Sequence, residues 1–367
     1  MSLEQRGYRV NDKIDKIIDS RINAIGFFSG AGGLDIGTQL AGVKVISSLD
    51  FDLDSVKTMK ANDYFNHALH FHKDIKEVTA NDYKQLLKEN NPDKLILVGG
   101  PPCQPFSKGG YWVTNDRRKA NDDPRNMIGN YLRVIEDLKP DGFLLENVES
   151  ILHPTNKIAV ENLIVAIDLL GYKLQVIKSN ALDYGVPQKR KRVFFLASKK
   201  GFRGEPIKTH GSPSDILIND KLLPYEGVNN WIGRYADERY FESEEVTIGK
   251  TYSKELIAVP PGKNYIALTS KHDYPDPPFN AGTRFWNFLL KLEPTLPSWT
   301  ISAQPGPWVG PFHWSGRRLR VPEIAAIQTF PEDYKFAGNR RSIQKQIGNA
   351  VPSLLGKAMV EHLRQNI

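Results

Sequence analysis

The chain has 367 residues, 40% hydrophobic and 25% charged, the balance of an ordinary soluble globular protein with one large domain and room for a smaller one. No apolar run reaches the ~18 residues that a membrane helix needs, Met1 to Asn23 carries Glu4, Arg6, Arg9, Asp12 and Lys13 where a secretory leader would be apolar, and the single cysteine, Cys103, excludes an intrachain disulfide. A cytoplasmic protein with no membrane partner and no metal is therefore expected, and the net charge of +7 fits a polyanionic partner.

Val10, Ile14, Ile17, Ile18 and Ile22 stand at helical spacing and predict a packing helix over 10–22. Ile22 to Phe28 predicts a buried strand that ends at glycines, followed by a helix from Leu34 to Ala41. Val43 to Leu49 is the next strand, ending at Asp50, and Leu53 to Tyr64 is helical in pattern. Leu95 to Val98 runs into Gly99-Gly100-Pro101-Pro102. Met127 to Leu138 reads as a helix, Gly142 to Leu145 as a strand stopping at Glu146, Ile158 to Leu170 as a helix closed by Gly171, and Val193 to Ala197 as the last strand. This alternation predicts an α/β fold with a doubly wound, mostly parallel, Rossmann-like sheet. Residues 201–312 are rich in Pro, Gly, Tyr and Trp with weak periodicity and predict a smaller, irregular β/loop domain. Helical patterns return at Pro322 to Thr329 and Pro352 to Gln365. The expected division is a catalytic domain of 22–199 plus 342–367, a second domain of 200–341 and an N-terminal extension of 1–21.

Ligands of such sheets bind beyond the carboxyl ends of the strands, and the polar and glycine-rich signals fall there. Phe28-Ser29-Gly30-Ala31-Gly32-Gly33 joins a strand to a helix, and its glycines let a ligand approach the backbone. Asp50 ends the next strand, about 20 residues on, where a carboxylate holds the ribose of a nucleotide-type cofactor. The turn is not the G-x-G-x-x-G that a diphosphate wants, so a nucleoside cofactor without phosphates, such as S-adenosylmethionine, fits better. The bland reading is a tight turn beside a surface aspartate.

Pro101-Pro102-Cys103-Gln104 is the sharpest feature. Two prolines stiffen the backbone before the cysteine, and nearby cations raise the thiolate fraction of such a residue. Glu146 ends a strand at the same edge and is placed to protonate a ring nitrogen; its bland reading is a helix N-terminal residue with Asn147 as cap. Gln188, Arg190 and Arg192 alternate toward one side of an entering strand and Lys189 and Lys191 toward the other, which suits an anion or base clamp or else a protected strand edge. Basic clusters at Arg117-Arg118-Lys119, Lys189 to Arg192, Arg317 to Arg320 and Arg340-Arg341 are solvated charge singly and a nucleic-acid track together.

In this order the motifs resemble those of the bacterial C5-cytosine DNA methyltransferases of type II restriction-modification systems. Phe28 to Gly33 looks like the first motif of that family, Asp50-Phe51 the second and Asp74-Ile75 the third. Gly99 to Ser107 matches the nucleophile motif, Asp123-Pro124-Arg125-Asn126 the next, Glu146-Asn147-Val148 the catalytic glutamate motif and Gln188-x-Arg190-x-Arg192 its successor. Arg318 to Pro331 and Gln346 to Pro352 match the two motifs that follow the variable recognition segment. Asp50 and Phe51 depart from the commoner glutamate and tryptophan.

The resemblance implies a DNA cytosine-5 methyltransferase that uses S-adenosylmethionine on a flipped base in double-stranded DNA. Cys103, Glu146, Arg190 and Arg192 are its implied catalytic residues. Its cofactor residues are the turn of Phe28, Ser29, Gly30, Ala31, Gly32 and Gly33, with Asp50, Phe51, Asp74, Ile75, Pro101, Asn349 and Val351. Ser107, Lys108, Arg117, Arg118, Gln188, Arg317, Arg318 and Arg320 are the expected DNA contacts, and residues 104–122, with Gly109-Gly110, a loop closing on DNA. Residues 201–312 are expected to choose the sequence, with Asn280, Arg284 and Gln304 as base readers, or else only to support the fold with Trp286 and Phe288 as core. A restriction endonuclease is expected as a genetic partner, not a physical one. A transfer-RNA methyltransferase of the related branch would carry a Cys-Phe-Thr signature, which a one-cysteine chain lacks. A catalytically silent regulator would lose Cys103 or Glu146, and a cysteine hydrolase would need a histidine base in a recognisable pairing.

Overall fold

A computed structural model describes residues 18–102 and 127–367. Cys103, Ser107, Lys108, Arg117, Arg118, the loop expected over 104–122 and most of the helix expected over 10–22 lie outside the described residues.

In chain order the elements are β1 (Asp19–Phe27), α1 (Gly33–Leu40), β2 (Val43–Asp50), α2 (Leu53–Lys60), β3 (Leu69–His72), α3 (Asn81–Asn90), β4 (Lys94–Gly99), α4 (Met127–Leu138), β5 (Gly142–Val148), α5 (Lys157–Leu169), β6 (Lys173–Asn180), β7 (Lys191–Ser198), α6 (Val321–Ile327), α7 (Arg340–Asn349) and α8 (Ser353–Gln365). The seven strands form one sheet in the order β3-β2-β1-β4-β5-β7-β6, parallel except for β7, which runs antiparallel to β5 and β6. The central strands are apolar throughout because helices cover both faces. Ile25, Phe27, Leu97, Phe143 and Leu145 pack against α3, α4 and α5, while Ala24, Val45, Val98 and Leu144 face Leu355, Met359 and Leu363 of α8.

From Ile22 onward, the predicted strands and helices of the first 200 residues are all present. β3 and β6 escape the pattern because Leu69 to His72 is half polar and Lys173 to Asn180 is an edge strand facing water on one side. The helical spacing around Ile22 misleads: Asp19 to Ile22 belong to β1, where Ile22 pairs with Lys94 of β4. Pairing across the sheet overrides the local period.

One hydrophobic core spans the expected boundary at residue 341. Val228, Trp231, Ile301, Leu319, Ile324 and Ile347 share one core with Ala31, Ile36, Leu40 and Met59, directly under the glycine turn. A separate small core joins Leu256, Tyr265, Phe279, Phe288 and Phe312. Around it, residues 201–312 are irregular but contain little β structure, a pairing of His210–Gly211 with Leu223–Pro224 and otherwise single helical turns and bridges. No helix among the described residues is long and apolar enough to cross a membrane.

The chain lays down β2 and β3 on one side of β1 and then β4 and β5 on the other. The crevice at the carboxyl ends of β1 and β4 is therefore the topological switch point where such sheets take ligands.

Candidate active site

The turn after β1 is built for close approach. Gly30 has φ +54°, and open space lies where its side chain would be. A Cβ on Gly33 would meet the Val351 carbonyl oxygen at 2.4 Å, so the glycine lets the chain end return against the turn. Asp50, at the end of β2, accepts hydrogen bonds from the amides of Gly30 at 2.7 Å and Asp52 at 2.8 Å. Beneath the turn, the buried Asp35 carboxylate accepts from the hydroxyls of Ser29 and Ser48, and burial pushes its carboxyl up to about 6. Asp52 caps α2 and takes the Lys345 ammonium at 2.9 Å, which draws α7 to the same edge.

Glu146 lies on β5 opposite Phe194 of β7, and Arg192, two residues earlier on β7, donates its Nε–H to the Glu146 carboxylate at 2.7 Å. Both side chains are nearly buried. Burial raises the Glu146 carboxyl above the ordinary glutamate range, and the Arg192 and Arg190 cations offset part of that rise. Asn147, read from sequence as a position of the glutamate motif or else as a cap, donates its amide to the Pro101 carbonyl at 3.1 Å and so ties the Pro101-Pro102 segment to β5.

One cavity of about 400 Å³ unites these parts. Phe28, Ser29, Gly30, Asp50, Pro101, Asn349 and Val351 line it together with Glu146, Arg190 and Arg192. Gly100, Pro102 and Asn147, quoted from sequence as motif positions without a site role of their own, also line it, and so do Asp52 and Lys345, which were not singled out although one lies two residues after Asp50 and the other in the final motif's helix. Ala31, Gly32 and Gly33 lie behind the wall. Phe51, 73% exposed, and Asp74 stand outside it, each next to a strand end. The Ile75 side chain is buried in the core and its carbonyl is held by Arg133, so no side-chain contact with a cofactor is open to it.

Several expected contacts are spent inside the protein. Arg190 is fully buried and donates to the Gly348 carbonyl at 2.8 Å, so Arg192 alone of the pair touches Glu146. Gln188, expected on DNA, is fully buried; it donates to Gln328 and accepts from the Ile301 amide. Arg317 makes a two-bond pair with Glu323. Arg320 is buried between the Glu245 carboxylate and the carbonyls of Tyr235 and Asp237. Placing a bare guanidinium in such a site is too costly without partners, so these arginines lock the fold. Arg318 remains exposed and, with Arg341, lines a second cavity of about 650 Å³ beside Gln304.

Arg320→Ala should therefore destabilise the fold by about 3–5 kcal/mol, because it strands Glu245. Chemical denaturation measures this; unchanged stability with weakened DNA binding would return Arg320 to the surface role expected from sequence.

The comparisons with known proteins agree with one another. The model of the C-5 cytosine-specific DNA methylase family matches residues 22–365. The chain is 34% identical to the type II methyltransferase M.SacI of Streptomyces achromogenes, over 95% of this chain and 94% of that protein. It is 28% identical to M.FnuDI of Fusobacterium nucleatum, over 94% of each. The solved structure of a prophage-encoded DNA modification methyltransferase from E. coli superposes with a TM-score of 0.65 at 22% identity, covering 94% of this chain and 99% of that one.

Proposed function

The chain belongs to the C-5 cytosine-specific DNA methylases, and from that premise we propose that it methylates carbon 5 of a cytosine flipped out of duplex DNA, with S-adenosylmethionine as donor, as the modification arm of a restriction-modification system. The observation that carries this reading is the Glu146–Arg192 pair in one cavity with the Gly30 turn and Asp50.

The cavity fits the cofactor by its donor and acceptor set. Gly30 leaves backbone open to a ligand and Asp50 keeps lone pairs for ribose hydroxyls, while Phe51, exposed outside the cavity just after Asp50, offers a face to an adenine that reaches beyond it. S-adenosylmethionine, when bound, supplies the methyl group as an electrophilic carbon. Cytosine C5 is too weak a nucleophile to take it unaided. The Cys103 thiolate adds to C6 while Glu146 gives a proton to N3, and the displaced π electrons make C5 nucleophilic. After C5 is methylated, water takes its proton, the thiolate leaves C6, and N3 returns its proton to Glu146. Arg192 holds Glu146 in place and balances its charge after proton transfer. C6 is out of reach inside a duplex, so the base must leave the stack. Residues 201–312 choose the sequence, and Arg318 and Arg341 join Ser107, Lys108, Arg117 and Arg118 in meeting phosphates and nearby polar groups.

Bisulfite sequencing of DNA from cells that express the chain tests the activity. One protected sequence context is the expected result, and DNA without protected cytosines would overturn the reading. S-adenosylmethionine should also raise the melting temperature of the isolated protein. Asp50→Ala should weaken that binding by about tenfold or more, whereas Arg318→Ala should leave it unchanged. An undiminished shift in Asp50→Ala would move the cofactor elsewhere.

A further inference from the structure

Among the large aromatic side chains exposed in the second half of the chain are Phe285 at 82%, Trp286 at 52% and Trp299 at 37%. They are not leftover core: their neighbour Phe288 is the one that is buried. The two indoles meet edge to face with centroids 4.8 Å apart, and the exposed Lys189 ammonium stands over the Trp299 ring at 4.4 Å. The backbone fixes this position firmly. The Lys189 amide donates to the Ser298 carbonyl at 2.8 Å, the Thr300 hydroxyl donates to the Lys189 carbonyl at 2.7 Å, and the Asn264 side chain donates to the Trp286 carbonyl.

We infer that Trp286 and Trp299, capped by Lys189, form a stacking platform that docks the DNA duplex and covers a base left unstacked when the cytosine is extruded. The inference rests on the methyltransferase reading above. Lys189 is three residues from Arg192, which bounds the separation of their α-carbons at about 10 Å of extended chain, and Arg192 holds Glu146. Extruding a base leaves bare π faces on its neighbours in the stack and bares only the pairing edge of the orphaned partner. Exposed indoles stack on such faces whatever the sequence, and a cation beside them meets the adjacent phosphate. An exposed aromatic patch that carries a lysine ammonium, on the strand entry that leads to Arg192, suits that occupant better than an apolar protein surface, which would leave Lys189 stranded.

The test uses the full chain and a fluorescein-labelled duplex of mixed sequence at low salt, with indole emission and anisotropy as readouts. Wild-type emission should be quenched on binding, and the Trp286→Phe and Trp299→Phe variants should each lose part of the quench while binding DNA. Trp286→Ala and Trp299→Ala should each weaken binding by about tenfold. Lys189→Glu, a change at an exposed side chain, should weaken it with an unaltered melting temperature. The S-adenosylmethionine melting shift should be the same in all of them. Wild-type affinity in both alanine variants together with an unquenched wild type would overturn the platform, even with methylation intact. A self-association of the wild type that Trp286→Ala abolishes, with DNA affinity unmoved, would overturn it in favour of a second copy. Quenched, duplex-bound protein in cells whose DNA carries no methylated cytosine would instead overturn the methyltransferase reading and leave the docking surface standing.

Discussion

Cys103→Ala is expected to reduce methyl transfer below detection while leaving the melting temperature and the S-adenosylmethionine shift unchanged. The proposed chemistry has no other way to make C5 nucleophilic, because the only thiol of the chain is Cys103. Pro102, the residue before it, lines the same cavity as Glu146, and Asn147 holds the Pro101 carbonyl in place. In the proposed mechanism the substitution thus removes the reacting group that follows an anchored segment and leaves the anchor itself intact. Tritiated methyl incorporation measured beside thermal melting decides the matter. Activity within a few-fold of wild type would remove covalent addition from the mechanism.

Glu146→Gln should lower the rate by about two to four orders of magnitude, the range a positioned general acid contributes. Glutamine preserves the shape and a hydrogen bond to N3 but has no proton to give. The pH dependence carries a sign of its own. Burial raises the Glu146 carboxyl, so its proton-bearing form persists to higher pH than on an exposed glutamate and is lost as pH rises through that raised value. The wild-type rate should decline across that window and the glutamine variant should not. Equal rates for the two proteins at every pH would exclude Glu146 as the acid.

Much of the catalytic half is legible in the sequence because its signals are local. A buried parallel strand is a short apolar run, and the turn after it needs glycine where a ligand or another chain segment comes close, as at Gly30 and Gly33. The alternation of Gln188, Arg190 and Arg192 against Lys189 and Lys191 also follows from a period of two, and the structure keeps it: the first set turns inward and the lysines outward. What that pattern does not contain is the destination of each inward group. Arg192 meets Glu146, Arg190 meets the carbonyl of Gly348, and Gln188 meets Gln328, 140 residues away.

The same limit explains the misplaced arginines. In sequence, Arg317, Arg318 and Arg320 are one basic cluster on an expected DNA track. In the fold Arg320 is closed over Glu245, 75 residues upstream, Arg317 is paired with Glu323, and only Arg318 is left facing solvent. A guanidinium reads identically whether water or a carboxylate will surround it, and burial is decided by segments that are distant in sequence. The sequence by itself determined the alternating fold, the strand ends that frame the candidate site and the identity of the groups there. Only the tertiary structure decided which charged groups share the 400 Å³ cavity, which are buried as fasteners and which aromatics stay exposed, because those outcomes depend on long-range pairing and desolvation rather than on local period.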